Sequence, residues 1–257
     1  MRRYVEGRWG QVHVEESGDG PALVLLHQSP LSGRQFAPAL PLLAQNFRVI
    51  APDTPGFGAS DAPPAPASIN DHADALAGVL DGMGLARVHL LGHHTGAAIA
   101  AAFAARHPER VDRLILNGVP LLTDEERAHF RTFRFAPLVP RADGGHLVDA
   151  WNQRLAATPG WTDLGAMHRH LATMLANPAR YFWLFEPVFA HDLAADLKVI
   201  SAPTLIFSNS GEDLFEASKR AQAMRPDWGF AALEGGTHDI VDEQPEGWAR
   251  VVSEFLR

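Results

Sequence analysis

The chain contains no cysteine, and this absence excludes several kinds of chemistry at once. Without thiols there is no disulfide, no thiolate nucleophile and no cysteine-based zinc or iron–sulfur site. Long apolar runs are missing too. No stretch approaches the roughly 20 apolar residues of a membrane span, and charged residues interrupt the first segment before an apolar run develops. We therefore expect a soluble, cytoplasmic protein.

The chain also lacks an excess of positive charge. Its 22 lysines and arginines are outnumbered by 30 aspartates and glutamates, so the net charge is −8. This balance gives no electrostatic reason to expect nucleic acid or an anionic membrane as a partner. The 257 residues, 46% of them hydrophobic, are enough for one α/β domain that carries an insertion. We expect a small-molecule substrate as the partner, and a monomer or homodimer.

Short apolar runs alternate with helical segments along most of the chain. The runs predict strands covered by helices on both faces, at 22–26, 47–51, 88–91, 114–116 and 204–207. Helices are predicted at 35–45, 69–83, 97–106 and 248–256. Weak alternation over residues 3–16, followed by a Gly-rich turn, predicts a hairpin at a sheet edge. The pattern is typical of an α/β fold with a doubly wound, mostly parallel sheet.

Residues 121–200 interrupt this alternation, because they contain helical stretches and no clear core strand. We interpret them as a helical cap inserted into a core domain formed by residues 1–120 and 201–257. The segment is rich in aromatic residues, which as a group predict an apolar pocket. Among them we select Trp151 and Trp183 as substrate-binding residues.

The most informative motif is Gly92-His93-His94-Thr95-Gly96, between the predicted strand at 88–91 and a helix of small residues. A strand-to-helix turn of the type G-x-Nu-x-G holds a nucleophile at its centre, usually Ser and sometimes Asp or Cys. Here the central residue is His94. The turn predicts the scaffold, while the residue that normally decides the chemistry is an unusual one.

Three further motifs accompany this turn in a fixed order. One, His27-Gln28-Ser29-Pro30, follows the third strand, and the segment 53–61 follows the fourth. The last is a pair, Gly211-Glu212-Asp213 and Gly236-Thr237-His238-Asp239, whose members each follow a late strand. With the helical insertion placed before this pair, the chain resembles the α/β-hydrolase superfamily over essentially its whole length.

The resemblance implies a catalytic set of three residues in the family's chain order. His94 occupies the nucleophile position, Asp213 the acid position and His238 the base position. The acid would hold His238 in the correct tautomer and stabilise its imidazolium. Glu212 is the alternative acid, because the preceding loop is about one residue longer than usual.

The resemblance also implies an oxyanion hole and two structural residues. The hole would combine the N–H of Thr95 with an N–H from Gln28 or Ser29. His27 is expected to have a structural role, and Asp53 is expected to hold its own Gly-containing turn.

The chemistry of an imidazole at the centre of the turn leaves two routes open. Neutral imidazole could attack an activated carbonyl as a nucleophile, or His94 and His238 could transfer protons and activate water directly. The hydroxyl of Thr95 is a third and less favoured nucleophile. A metal held by His27, His93, His94 and His238 is a further alternative, but the usual ligand spacings are missing, so no metal and no cofactor are expected.

These observations favour a cofactor-free hydrolase of a small apolar or aromatic carbonyl compound, most simply an ester. One alternative is a lyase or another proton-transfer enzyme on the same scaffold. The other is a pseudoenzyme that binds a ligand without turning it over.

Overall fold

A computed structural model describes residues 1–133 and 136–257, and these residues form one eight-stranded sheet with helices on both faces. The strand order is β1-β2-β4-β3-β5-β6-β7-β8. The strands are β1 Arg2–Gly7, β2 Gly10–Ser17, β3 Ala22–Leu26, β4 Arg48–Pro52, β5 Val88–His93, β6 Val111–Asn117, β7 Thr204–Asn209 and β8 Gly229–Leu233. The first two strands form an antiparallel hairpin at one edge, and all pairs from β4 to β8 are parallel. The predicted fold class is confirmed.

Helices follow most of the strands. Their bounds are α1 Leu40–Leu43, α2 Ile69–Gly82, α3 Thr95–Arg106, α4 Asp124–Arg131, α5 Gly145–Ala157, α6 Leu164–Ala176, α7 Phe185–Ala190, α8 Leu193–Val199, α9 Phe215–Met224, α10 Ile240–Glu243 and α11 Pro245–Leu256. Among the residues that the structure describes, no helix is both long enough and apolar enough to cross a membrane.

Local sequence signals explain where several elements begin. Ser68 caps α2 through a reciprocal pair of hydrogen bonds with Asp71, as the capping box in the sequence indicates. The helix predicted at 35–45 is instead a short 3-10 helix followed by α1, and Pro41 stands at the start of α1. The late strand expected before Gly236 is β8, but the sequence did not predict its bounds, because its residues are mostly half-buried or exposed and carry no continuous apolar run.

The core has two apolar layers, one on each face of the sheet. One layer packs the small residues of α3 against α2 and the central strands, and it includes Leu90 and Phe103. The other layer packs α1 and α11 against the opposite face around Phe36, Phe207 and the fully buried Trp248. Both faces of the central strands are therefore covered, which explains their nearly continuous apolar sequences.

Between β6 and β7 the chain forms helices α4 to α8, which we call the helical insertion. Part of it has an apolar cluster of its own, which includes Ala150, Leu171, Met174 and Tyr181. Other parts contact the core, since Arg154 of α5 and His170 of α6 make hydrogen bonds to the segment that follows β8. The insertion therefore contributes side chains to the region where the predicted site residues lie.

Candidate active site

The turn between β5 and α3 holds His94 in a backbone conformation that few residues adopt. Its φ is 52° and its ψ is −109°, and it is the only non-glycine residue with a positive φ among the described residues. Glycines on either side allow close approach of the chain. A Cβ on Gly92 would lie 2.1 Å from the carbonyl oxygen of Gly96, and one on Gly96 would lie 2.1 Å from that of Leu26. This strain is typical of a functional turn.

The imidazole of His94 is paired with the carboxylate of Glu212. Nε2 of His94 lies 2.5 Å from Oε2 of Glu212, and the hydroxyl of Ser208 donates to the other carboxylate oxygen. The Glu212 side chain is fully buried, whereas that of His94 is 16% exposed. Because an ionised carboxylate only accepts hydrogen bonds, Nε2 of His94 carries the proton and Nδ1 keeps the free lone pair.

The structure separates the two acids that the sequence left as alternatives. Asp213 is exposed, and it acts on His238 only through a weak electrostatic attraction. Glu212 is buried, and its partner is His94, not His238. Sequence spacing alone does not distinguish these neighbours, because which of two adjacent side chains enters the core depends on the path of the turn.

His238 contacts an arginine of the helical insertion that the sequence analysis did not select. Nη1 of Arg154 donates to Nε2 of His238 over 2.6 Å. Burial, together with the nearby Arg154 and His94, lowers the pKa of His238 to about 4, against the opposing attraction of Asp239 and Asp213. His238 is therefore neutral near pH 7. Its ring centroid lies 6.2 Å from that of His94.

Asp239 is the centre of the contacts between the core and the insertion. Its buried carboxylate accepts a hydrogen bond from Nη2 of Arg154, and its other oxygen accepts from Nε2 of Gln28 over 2.9 Å. Nη2 of Arg154 also donates to Nδ1 of His170 over 3.0 Å, and Nε2 of His170 lies 2.9 Å from Asp242. Electrostatic interactions with His238, Arg154 and His170, together with the hydrogen bond from Arg154, hold the pKa of Asp239 below its usual value against the effect of burial.

The two alternative backbone N–H groups that were predicted to join Thr95 in the oxyanion hole are already engaged. The N–H of Gln28 donates to Oε1 of Gln35 over 2.9 Å, and the N–H of Ser29 donates to Oγ1 of Thr95 over 2.7 Å. In this conformation neither of them can serve an oxyanion. The N–H of Thr95 lies in the first turn of α3, where an α-helix has no internal acceptor for it.

His93 lies beneath the turn and is fully buried. Oε1 of Gln35 accepts from Gln28, so the amide NH2 of Gln35 faces Nδ1 of His93, and Nδ1 must accept its hydrogen bond. The proton of this imidazole is therefore on Nε2, and burial holds its pKa well below the usual value. The potential ligand atoms of His93, His94 and Glu212 lie within 4.8 Å of one another. Nδ1 of His93 is engaged by Gln35, while its Nε2 is buried without a hydrogen-bond partner among the described residues.

His27 and Asp53 have the structural contacts that the sequence analysis expected of them. Nδ1 of His27 donates to the carbonyl of Gln28 over 2.9 Å, and Nε2 accepts from the N–H of Thr54 over 2.9 Å. Asp53 accepts from the N–H groups of Gly33 and Ala59, over 2.7 and 2.8 Å. Neither side chain therefore has a free atom directed at a substrate.

The aromatic residues of the insertion have different surroundings. Trp151 is half-buried against the apolar cluster of the insertion. Trp183 is also half-buried, and the ring contacts found among the described residues do not join it to His94 or His238. Trp161 contacts two residues of the site, since its ring lies 5.5 Å from that of His170 and 6.0 Å from the guanidinium of Arg154.

A cavity of about 660 Å³ lies beside residues that contact the site, although His94, Glu212 and His238 are not among its lining residues. It lies between the N-terminal hairpin, the loops after β3 and β4, and helix α6. Gln35 and His170 line it, and these two residues contact His93 and Arg154 respectively. Its size is within the range of small-molecule binding pockets.

Comparison with known proteins adds to this geometry. The family model described as the alpha/beta hydrolase fold matches residues 21–184, which include the turn at His94 and most of the insertion. The chain belongs to the α/β-hydrolase fold family. The membership inferred from the four motifs is therefore confirmed.

Relatives within the α/β-hydrolase fold family have names that refer to hydrolysis. A 2-hydroxy-6-oxononadienedioate/2-hydroxy-6-oxononatrienedioate hydrolase of Pseudomonas putida is 30% identical over 96% of this chain and 92% of its own length. A 2-(acetamidomethylene)succinate hydrolase of Mesorhizobium japonicum is 25% identical over 95% of this chain and 91% of its own. A thermophilic esterase from Thermogutta terrifontis has a similar fold, with a TM-score of 0.82 at 23% identity, over 100% of this chain and 98% of that one. The two hydrolases support a hydrolase, and the esterase structure supports the fold.

Proposed function

We propose that this protein is a cofactor-free hydrolase of a small carbonyl compound, most simply an ester, in which His94 activates water. The observation that carries the proposal is the hydrogen bond between Nε2 of His94 and the buried carboxylate of Glu212. A histidine whose far nitrogen is held by a carboxylate is the arrangement that general-base catalysis uses.

The pairing with Glu212 gives His94 two properties of a base. The carboxylate fixes the tautomer, so the lone pair is on Nδ1, and it stabilises the imidazolium that forms when Nδ1 takes a proton. The strained turn and the partial exposure of the side chain present this imidazole to a substrate. We assign to Glu212 the orienting role that the sequence analysis gave to Asp213, with His94 in place of His238 as its partner.

Direct attack by water agrees better with this arrangement than attack by the imidazole. A water molecule can donate one proton to Nδ1 of His94 and direct its oxygen at the carbonyl carbon. His238 is neutral, and its ring lies 6.2 Å from that of His94, so it is the second group that can hydrogen-bond the same water. The proton returns from His94 to the departing alkoxide, which leaves both histidines neutral.

The adjoining cavity supports a substrate of modest size. Its volume of about 660 Å³ is suited to a small organic molecule. The names of the curated relatives refer to hydrolases of small oxo and acetamido acids, and this supports a carbonyl substrate of similar size. We propose that the helical insertion acts as a cap over the site and restricts the entry of large substrates.

The experiment is steady-state hydrolysis of a panel of p-nitrophenyl esters by the wild type and His94→Ala, with free imidazole as the background. We expect the wild type to exceed the background and His94→Ala to lose about a hundredfold or more in kcat/KM. His129→Ala is the matched control, because His129 is an exposed histidine of α4 and does not line the cavity. A wild type that stays at background on every ester, or a fully active His94→Ala, would contradict the proposal.

The second candidate is a proton-transfer enzyme. The observation that favours it is that the imidazole rings of His94 and His238 lie 6.2 Å apart. Such an enzyme would exchange a carbon-bound hydrogen of a ketone with deuterium from the solvent, without hydrolysing esters. Exchange measured by NMR in D2O, lost in His94→Ala, would support this candidate. Saturable binding of ligands with neither exchange nor hydrolysis would instead support a binding protein.

A further inference from the structure

Arg154 makes an unusual set of contacts for a buried cation. Its side chain is 13% exposed, and its Nη1 donates to a neutral ring nitrogen, Nε2 of His238, over 2.6 Å. Its Nη2 is shared between Asp239 and Nδ1 of His170. Its Nε is buried and has no hydrogen-bond partner among the described residues. Of the acceptors that these N–H groups meet, only the carboxylate of Asp239 is an anion.

These contacts define the protonation of both histidines. A guanidinium only donates, so Nε2 of His238 and Nδ1 of His170 must both be acceptors. The proton of His238 is therefore on Nδ1, and its Nε2 lone pair is covered by Arg154. In the proposed hydrolysis this lone pair is the one that would hold the attacking water. Arg154 must then change its hydrogen bond during the reaction.

The oxyanion hole predicted in the core lacks a second free donor, and this indicates where Nη1 of Arg154 could move. The N–H groups of Gln28 and Ser29 are engaged by side chains, which leaves Thr95 as the remaining backbone donor of the predicted oxyanion hole. One donor stabilises a tetrahedral oxyanion poorly, because such sites normally present two. Arg154 supplies a charged donor in the same region, since its partner His238 adjoins His94.

We propose that Arg154 is a catalytic residue that stabilises the oxyanion. The inference rests on the proposed hydrolysis. In the step, water oxygen bonds to the carbonyl carbon while its proton passes to Nδ1 of His94, and the carbonyl electron pair moves to the oxygen. That oxygen accepts a hydrogen bond from Nη1 of Arg154, and Nε2 of His238 becomes free to hold the remaining water proton. Collapse restores the carbonyl and expels the alkoxide, which takes the proton from His94.

The negative charge of the oxyanion favours the transfer of the Nη1 hydrogen bond from His238 to the substrate in the transition state and not in the ground state. In the resting site Asp239 neutralises Arg154, and Nη1 faces an uncharged imidazole. The guanidinium is charged in both hydrogen bonds, but only the oxyanion adds an opposite charge, and its Coulomb attraction strengthens the bond. The developing oxyanion is therefore a better partner for Nη1 than His238 is, whereas a neutral ester carbonyl is not. The interaction is made mainly in the transition state, so it raises kcat more than it lowers KM.

The first test compares Arg154→Gln with the wild type on p-nitrophenyl esters. We expect kcat to fall by about a hundredfold or more while KM changes little, which separates oxyanion stabilisation from loss of the pocket. Arg131→Gln is the matched control, because Arg131 also lies in the insertion and also pairs with a carboxylate, that of Glu186. Guanidinium chloride at millimolar concentration should restore activity to Arg154→Ala and not to His94→Ala. Unchanged kcat in Arg154→Gln, or a loss confined to KM, would overturn the inference.

The second test does not need turnover and so separates this inference from the proposed function. A p-nitrophenyl alkylphosphonate carries a stable anionic oxygen on a tetrahedral centre, as the oxyanion does. By calorimetry we expect Arg154→Gln to bind it at least about tenfold more weakly than the wild type, and Arg131→Gln to bind it equally. Equal binding by Arg154→Gln would refute the role of Arg154. A wild type that binds the phosphonate through Arg154 but hydrolyses no ester would contradict the proposed function alone.

Discussion

Oε2 of Glu212 lies 2.5 Å from Nε2 of His94, so the acid of this site is paired with the residue at the nucleophile position. In the arrangement implied by the resemblance, the acid orients a histidine that in turn activates the nucleophile. Here the histidine occupies the nucleophile position itself. The pair is therefore complete without a hydroxyl or a thiol, and it is suited to activate water or to attack through an imidazole nitrogen.

Replacing the buried acid tests this pairing. Glu212→Gln keeps the shape and an acceptor for Nε2 of His94 but removes the charge that stabilises the imidazolium. We expect kcat/KM to fall by about 10² to 10⁴ on p-nitrophenyl esters. Glu216→Gln, the same change at an exposed position of α9, should leave activity unchanged. If Asp213→Asn lowered activity and Glu212→Gln did not, the assignment of the acid would be wrong.

Gly118, the residue after β6, tests whether ester hydrolysis depends on the position of the His94 ring. A Cβ on Gly118 would lie 2.3 Å from Cδ2 of His94 and 3.0 Å from Oε2 of Glu212, so Gly118→Ala must displace the pair. We expect loss of most ester hydrolysis in a protein that still folds. Gly84→Ala is the control, since it has a similar φ of +69° but meets nothing within 4 Å. It shares the backbone strain without the clash, and equal activity losses in the two variants would contradict the argument.

The dependence of stability on pH follows from two buried histidines. Burial lowers the pKa of His72 and of His238 to about 4, while in the unfolded chain each takes up its proton near 6.5. Because the unfolded state binds more protons between these values, the free energy of unfolding falls as the pH drops from about 6.5 to 4. The slope is up to about 1.4 kcal/mol per pH unit for each histidine.

Urea unfolding at pH 7.5 and at pH 5 measures this effect. His72→Leu removes one of the two groups, so the stability lost between the two pH values should be smaller than in the wild type. His168→Leu, at an exposed histidine, should lose as much stability as the wild type. A pH dependence of His72→Leu equal to that of the wild type would mean that His72 is protonated equally in both states.

Asp53 tests the separation of structural from catalytic residues. Its carboxylate accepts from the N–H groups of Gly33 and Ala59 and lies 3.0 Å from Nδ1 of His13, all in a buried region. Asp53→Asn places an NH2 group against one of these donors, and we expect a loss of about 2 to 4 kcal/mol in the free energy of unfolding. Asp19→Asn, in an exposed turn, should cost little. A catalytic Asp53 would instead lose activity without losing stability.

The sequence predicted the scaffold because the scaffold depends on local signals. Apolar runs, the turn at His94 and the capping box at Ser68 each act over a few neighbouring residues, and the structure has the corresponding strands and helices. Strand β8 carries a weaker signal, because it forms an edge of the sheet and only part of it is buried.

The pairings within the site could not be predicted in the same way. Glu212 meets His94 across 118 positions of the chain, and Arg154 meets His238 across 84. Arg154 stands in no motif, and only the packing of the insertion against the segment after β8 brings it to the site. Such contacts depend on the tertiary arrangement, for which a single sequence carries no local signal.

The most direct test of water activation by His94 is the pre-steady-state release of p-nitrophenol, combined with mass spectrometry of the acid-quenched protein. We predict a linear time course from the first turnover, no acyl group on the peptide that contains His94, and a rate about two- to threefold lower in D2O, as expected for proton transfer in the rate-limiting step. A burst of one equivalent of p-nitrophenol together with an acyl group on His94 would contradict the account and establish His94 as a nucleophile.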